Sequence, residues 1–422
     1  MSIKMRARNL LALGAVAAVT ALSLSGCSGS GSSSSSPSDA TSSAASSQAG
    51  GKGGALTVWV DSERASALSA VAKDFQKNTG ITVKVVSKAT DKIKDDFTQQ
   101  GASSGGPDVV MGAHDWIGEL VTNGIAAPIE LGDKASEFSD VSIKASTYQG
   151  KTYMLPYAVE NLAVLRNTEL APKAATSFDD MIAKGKASGA TYPFLVQQGD
   201  EGDPYHLYPF QTAFGAPVFG TDSKGDYDAS KLELGKGDKF ADWLSAQGKA
   251  KTISTEITGD IAADAFAKGK VAYWLTGPWN VKAAQKAGIK LAVDPIPSPT
   301  SSPAAPFAGV KGFFVNEHSD NKLAATDFLV NYLGTEDVQT KLFESSAVLP
   351  ALKTAADKAA QDPVIAGFQK AGENAVPMPA IPAMGTVFEH WGVSEAAILN
   401  GKDPQKTWSD LVTKVTKAIA KG

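Results

Sequence analysis

An α/β fold is expected for this chain, because short apolar strands alternate with amphipathic helices over most of its length. Residues 56–60 form an apolar strand and residues 81–86 are β-rich. Between them Leu68, Val71, Ala72 and Phe75 recur at helical spacing over residues 65–78, and Gly80 suits the end of that helix. Strand, helix and strand with short connections make a parallel, right-handed unit. After the Gly105-Gly106-Pro107 turn, Asp108-Val109-Val110-Met111 reads as a further buried strand, followed by a helix to Asn123-Gly124. The alternation returns later. Asp260 is placed to cap a helix ending at Gly269, residues 271–275 form a strand, and Gly277-Pro278 opens a helix carrying Trp279. Leu323, Phe328, Leu329, Tyr332 and Leu333 are expected to line a helix ended by Gly334. Thr407 with Asp410 resembles a capping box before a last helix carrying Trp408, Leu411, Val412, Val415 and Ile419. The Pro-rich run 295–306 reads as an exposed loop or crossover, and there is no internal repeat.

Lys4, Arg6 and Arg8 precede an uncharged stretch from Leu10 to Leu24 that is rich in Leu, Ala and Val. A basic start, a short apolar core and small residues before a cut make a secretory signal. The stretch is shorter than the roughly 20 residues a spanning helix needs. Leu24-Ser25-Gly26-Cys27 ends it, and Cys27 is the sole cysteine among 422 residues. No thiol is left for a disulfide, so the fold has to rest on its hydrophobic core. With 43% hydrophobic and 8% aromatic residues the chain has material for two or three domains. The formal charge of −4 becomes −7 once the three basic leader residues are removed, which argues against a nucleic-acid partner. Residues 27–54 are dominated by Ser, Gly, Ala and Thr, a composition that cannot bury enough apolar area to order itself. They read as a tether.

Motifs for catalysis are lacking. The four histidines, His114, His206, His318 and His390, have no zinc-site spacing. Gly150-Lys151-Thr152 ends like a phosphate-binding loop, but Ala145 stands where its first Gly belongs. There is no Gly-x-Ser-x-Gly elbow and no dinucleotide fingerprint after a strand. Asp108, Asp115, Glu160 and Asp203 offer carboxylates in number for a glycosidase pair, although each also suits a turn or a hydrogen bond to a hydroxyl. No metal and no cofactor is expected.

The informative residues are aromatics and carboxylates in loops that follow strands. Trp116 follows Ala113-His114-Asp115. Tyr205 and Tyr208 lie in Asp203-Pro204-Tyr205-His206-Leu207-Tyr208, Trp279 in Thr276-Gly277-Pro278-Trp279, and Phe388 and Trp391 close to Met384-Gly385. Trp59 and Trp274 fall inside strands and belong to the core. A sugar ring has a C–H face that an aromatic covers and an equator of hydroxyls that carboxylates and Arg satisfy.

From about Leu56 onward the chain resembles the maltose/maltodextrin-binding lipoproteins of bacterial ABC importers, within family 1 of extracellular solute-binding proteins. Leu24-Ser25-Gly26-Cys27 resembles the bacterial lipoprotein box. The body's resemblance is carried by residues 56–60, Phe75-Gln76-Lys77-Asn78-Thr79-Gly80-Ile81, Gly106-Pro107-Asp108-Val109-Val110, Ala113-His114-Asp115 and Leu155-Pro156-Tyr157-Ala158-Val159-Glu160. Ala265-Phe266-Ala267-Lys268-Gly269-Lys270, Gly277-Pro278-Trp279, Pro306-Phe307-Ala308-Gly309-Val310 and Ile381-Pro382-Ala383-Met384-Gly385 complete it.

The resemblance implies a periplasmic-binding-protein-like fold of two discontinuous lobes with a hinge and a cleft. The segments implied are 1–26 signal, 27–54 tether, 55–158 plus 313–357 for the first lobe and 163–307 plus 365–422 for the second, with crossings near Val159 and Gly309. It implies ligand contacts at Glu63, Arg64, Asp115, Trp116, Glu160, Asp203, Tyr205, Trp279 and Phe388, and lipid on Cys27. A family Trp falls on Gly112, so one stacking ring is missing, and Trp116 stands where the family often has Arg. Glu389 replaces a Tyr. The implied protein is a monomer held by lipid at the extracytoplasmic face of a cell membrane, which captures a maltose- or maltodextrin-type oligosaccharide for ABC permease subunits and is no enzyme. Another oligosaccharide, such as an α-galactoside or trehalose, and an anchored glycosidase are the competing readings.

Stable anchoring takes more than one acyl chain, and the bacterial lipoprotein anchor carries several. Cys27→Ser is therefore expected to move the protein from the membrane to the soluble fraction on cell fractionation. A variant that stays with membranes as the parent does would refute the anchor.

Overall fold

The computed structural model describes residues 55–62, 64–89, 92–103, 105–346 and 348–421. The leader, Cys27, the tether up to residue 54 and Glu63 lie outside the described residues. In chain order the elements that position the site are β1 (Leu56–Asp61), α1 (Ala65–Thr79), β2 (Val83–Lys88), β3 (Val109–Ala113), β4 (Met154–Asn161), β5 (Ala163–Asn167) and β6 (Tyr192–Val196). They continue with α2 (Pro204–Ala213), β7 (Val271–Thr276), β8 (Leu291–Asp294), β9 (Phe307–Asn316), α3 (Ala383–Leu399) and α4 (Pro404–Ile419).

Two main sheets form. In the first, β4, β9, β3, β1 and β2 lie side by side, and short strands at Leu349–Pro350, Val376–Pro377 and Ala126–Ala127 pair with β4 or β9. β1 runs parallel to β2 and β3, as the strand-helix-strand reading expects, whereas β9 is antiparallel to β3 and β4. The second sheet has the order β8, β5, β7, β6. Each sheet has its own apolar core. Leu68, Val71 and Phe75 of α1 bury against the first with Trp59, while Trp391, Trp408, Tyr208 and Phe307 belong to the second. Trp274 is 1% exposed inside β7. Chain passes from one sheet to the other where β4 runs into β5 through Leu162, and again at β9, whose first residue Phe307 lies in the second core.

Three expectations about helix ends need correction. Asp403, not Thr407, caps α4. Its carboxylate accepts from Lys406 N at 2.7 Å, and Pro404 sets the first turn. Asp410 instead pairs with Lys406 Nζ at 2.8 Å. Thr258 rather than Asp260 caps the helix Gly259–Ala267, by accepting from Ile261 N. The helix expected through Leu333 is α-helical only over Lys322–Asp327, and Phe328–Leu333 is a π-helical turn. That turn rotates Phe328, Leu329 and Leu333 into the core and leaves Leu323 at 91% exposure. The Pro-rich run is a crossover into β9, but Ile296 and Ala304 within it are buried.

One buried charge-bearing group has a direct consequence for stability. Glu395 on α3 is fully buried. Burial, and next the charge of Asp203, push its carboxyl well above the usual range despite the nearby Trp391 indole. The native state thus keeps a proton that the unfolded chain releases above about pH 4.3. Stability attributable to this group is complete below that pH and is lost as pH rises toward the native pKa. In thermal melts Glu395→Gln should gain on the parent steadily between about pH 4.5 and 7.5. A constant offset across that range would mean that Glu395 is ionised in the native state.

Candidate functional site

The first group of side chains stands at the carboxyl end of the first sheet, where open α/β sheets present their loops. Asp61 ends β1 and is buried. It accepts from Arg64 N at 3.0 Å and from Arg64 Nη1 at 2.6 Å. Arg64 Nη2 lies 3.7 Å from Glu160 Oε1 on β4, and the guanidinium sits 5.8 Å from the Tyr157 ring. Burial alone opposes the charge on Arg64, but Tyr157, Asp61 and Glu160 outweigh it and hold the guanidinium firmly protonated. The cation is therefore fixed in a fork between two carboxylates that come from β1 and from the strand that leads out of this sheet.

Asp115 and Trp116 follow β3 in a single 3₁₀ turn, His114–Trp116. His114 is the anchor of that turn. It is 1% exposed, its Nδ1 accepts from Val310 N at 3.1 Å, and its Nε2 lies 2.9 Å from Met378 O. A neutral ring with the proton on Nε2 satisfies both, and burial lowers its pKa accordingly. The expected stacking ring at Gly112 is absent for a reason that the packing makes plain. A Cβ at Gly112 would stand 2.2 Å from the Trp116 ring. Trp116 lies over Gly112, parallel to Phe314 at a centroid distance of 6.5 Å, so the ring after the turn uses the space that a larger residue at 112 would occupy.

The second group belongs to the second sheet. Asp203 caps α2. Its Oδ1 accepts from His206 N at 3.1 Å, and its Oδ2 accepts from Gln197 Nε2 at 2.7 Å and lies 2.9 Å from His206 Nδ1. Burial pushes this carboxyl up, yet His206, Gln197 and the helix amide together hold it below the usual range. Tyr205, two residues on, stacks against Phe307 at 6.0 Å. Burial raises the pKa of its hydroxyl, and the charges of Glu160, Asp203 and Asp115 raise it further.

Trp279 follows β7 in the turn Pro278–Asn280, which Asn280 Nδ2 ties to Thr276 Oγ1 at 2.8 Å. Its indole folds over Gly277, where a Cβ would come within 2.1 Å of the ring. It is 48% exposed, unlike Trp274 in the strand before it. His206 meets it edge to face at 6.2 Å and 83°. Phe388 on α3 is 36% exposed and lies 5.8 Å from Trp391, which is fully buried against Tyr208 and Phe307.

Arg64 is thus brought to Glu160, and Asp203, Tyr205 and Trp279 are brought together around His206. Trp116 and Phe388 sit on the same loops and helix but in separate ring contacts. Asp61, Tyr157, His114 and His206 were not singled out from sequence as site residues. The Asp61–Arg64 and Asp203–His206 spacings of three were visible, but a spacing of three in a loop does not report a contact. The arrangement offers exposed aromatic faces beside charged donors and acceptors that are already fixed. Among the described residues no group of three or more His, Cys, Asp or Glu is placed to hold a metal ion.

The family model for bacterial extracellular solute-binding proteins matches residues 70–370. A galactooligosaccharide-binding protein of Bacillus subtilis is 27% identical over 389 residues, covering 88% of this chain and 90% of the relative. A maltooligosaccharide ABC transporter solute-binding lipoprotein of Streptococcus pneumoniae is 28% identical over 380 residues, covering 86% and 88%. Among solved structures, a cyclo/maltodextrin-binding protein complexed with maltotetraose superposes with a TM-score of 0.80 at 30% identity, covering 87% of this chain and 98% of that one. The fold is accordingly that of the periplasmic binding proteins. These relatives bind solutes and are not enzymes, which removes the glycosidase reading. The chain belongs to the bacterial extracellular solute-binding proteins.

Proposed function

We propose that the ligand is a maltose- or maltodextrin-type α-glucan, captured between two lobes and handed to ABC permease subunits. The observation that carries this reading is the half-exposed Trp279 at the end of β7, edge to face with His206, in a chain that also holds Arg64 between Asp61 and Glu160. An indole face covers the C–H side of a glucose unit, and Asp115, Glu160 and Arg64 satisfy its hydroxyls. Both groups of contacts are made together only when the lobes, 55–158 plus 313–357 and 163–307 plus 365–422, close on the sugar. The ligand binds the closed state better, so it shifts the population toward it. Lipid on Cys27 holds the monomer at the extracytoplasmic face, within reach of the permease. A galactooligosaccharide is the second reading, favoured by the similarity to the Bacillus subtilis protein.

Calorimetry over maltotriose, maltotetraose, trehalose, an α-galactoside and a β-galactooligosaccharide tests the choice. The α-glucans are expected to bind most tightly, and a ligand at 100 times its dissociation constant stabilises by about 2.7 kcal/mol, which a melting curve registers. A galactoside that outcompetes both α-glucans would transfer the assignment to the second reading.

Large aromatics at desolvated sites often carry about 2 kcal/mol or more of a binding energy. Trp279→Ala should therefore weaken maltotriose binding more than tenfold, and sugar should perturb tryptophan fluorescence in the parent. If Trp279→Ala binds every sugar of the panel as the parent does, the platform and the sugar assignment both fall. Asp115→Asn should weaken binding by roughly 1–3 kcal/mol through unsatisfied hydroxyls. Its unliganded melting temperature should stay near the parent's, because Asp115 is only half-buried. Equal losses of stability and affinity would make Asp115 a structural residue.

A further inference from the structure

We infer that Asp203 and His206 act on the ligand through Trp279, as positioning residues that set the angle of the indole platform. The inference rests on the reading of Trp279 as a stacking ring. Asp203 is already held on both oxygens, since Oδ1 accepts from the α2 amide and Oδ2 accepts from Gln197 Nε2 and lies 2.9 Å from His206 Nδ1. His206 is 4% exposed and neither ring nitrogen has a partner in full hydrogen-bond geometry, although Nδ1 lies 2.9 Å from Asp203 Oδ2. The ring therefore works by packing. What it packs against is the platform: Trp279 stands edge to face with it at 6.2 Å and 83°, and Tyr205 at 5.6 Å and 71°.

The need for such a support follows from the rest of the turn. Trp279 rests on bare Gly277 and is half in solvent. No other aromatic ring contact to it is present among the described residues. A ring in that position, free to rotate about χ1 and χ2, would lose rotamer freedom on binding, and a pre-set ring does not. Asp203 fixes His206, α2 fixes Asp203, and the imidazole closes off one side of the indole.

A double-mutant cycle with maltotriose, read by calorimetry, tests this. His206→Ala is expected to weaken binding about fivefold, and Asp203→Asn, which keeps a capping side chain, by about threefold. In the Trp279→Ala background both should have almost no further effect. His206→Phe, which restores a flat ring but no polar atom, should recover most of the affinity. With 5-fluorotryptophan incorporated, the ¹⁹F resonance assigned to Trp279 should broaden or shift in His206→Ala and not in His206→Phe. Losses that add fully to that of Trp279→Ala, or a His206→Phe variant as weak as His206→Ala, would mean that His206 or Asp203 touches the sugar directly, and the inference fails while the platform stands. Should Trp279→Ala bind as the parent does, the platform fails and the inference with it. Asp203→Asn and His206→Phe carry the test if His206→Ala does not fold.

Discussion

Both sheets hang from one antiparallel seam, where β4 pairs with β9 from Asn161–Ala308 to Met154–Phe314. Two of the passages of the chain between the sheets use those strands, and a third runs through the segment between Ala355 and Phe368. β4 hands the chain to β5 through Leu162, and β9 receives it back from the second core at Phe307. Asn161 fastens the junction from within: buried, it donates to Leu162 O at 3.1 Å and to Phe368 O at 3.3 Å. Backbone pairing is strong along a seam and gives little resistance to twisting about it. A connection of a few chain segments is therefore suited to hold two rigid bodies that change their relative angle. Glu160 sits in this seam, which is why its carboxylate can reach Arg64 of the first group and also influence Tyr205 of the second.

The charges of the site obey a second constraint. A buried charge is tolerable only when paired and hydrogen-bonded. Arg64 has Asp61 and Glu160, and Asp203 has Gln197, His206 and the α2 amide. Glu395 has no such company and keeps its proton instead. Pairing of this kind leaves polar groups oriented before any ligand arrives, so binding need not reorganise them. The aromatic groups follow the opposite rule. Trp59, Trp274, Trp391 and Trp408 are consumed by the cores, while Trp279 in the turn after β7 and Phe388 on α3 are left at 48% and 36% exposure.

Much of this was legible in the sequence, for physical reasons that differ by element. The strands at 56–60 and 271–275 and the helix with Leu68, Val71 and Phe75 follow from local periodicity, and local periodicity survives in any tertiary context that buries one face. The exposed Trp279 could be told from the core Trp274 because Gly-Pro ends a strand. Helix starts were less legible. Asp403-Pro404 and Thr407/Asp410 both spell a cap, and it is the Asp403 carboxylate that takes the Lys406 amide. The exposure of Leu323 could not be read, since a π-helical turn shifts the buried face without any change in the apolar pattern.

By itself the sequence determined the alternation of elements, the residues able to stack on or hydrogen-bond a sugar, and the family pattern along the body. Those properties are written in single residues and short spacings. Tertiary structure alone decided which of them meet. It decided that Asp61 grips Arg64, that Trp116 fills the room above Gly112, and that Asp203 is held by α2 and His206, which backs Trp279. Contacts between residues distant in sequence depend on how the sheets twist and how close two backbones come, and no periodicity along the chain records those distances.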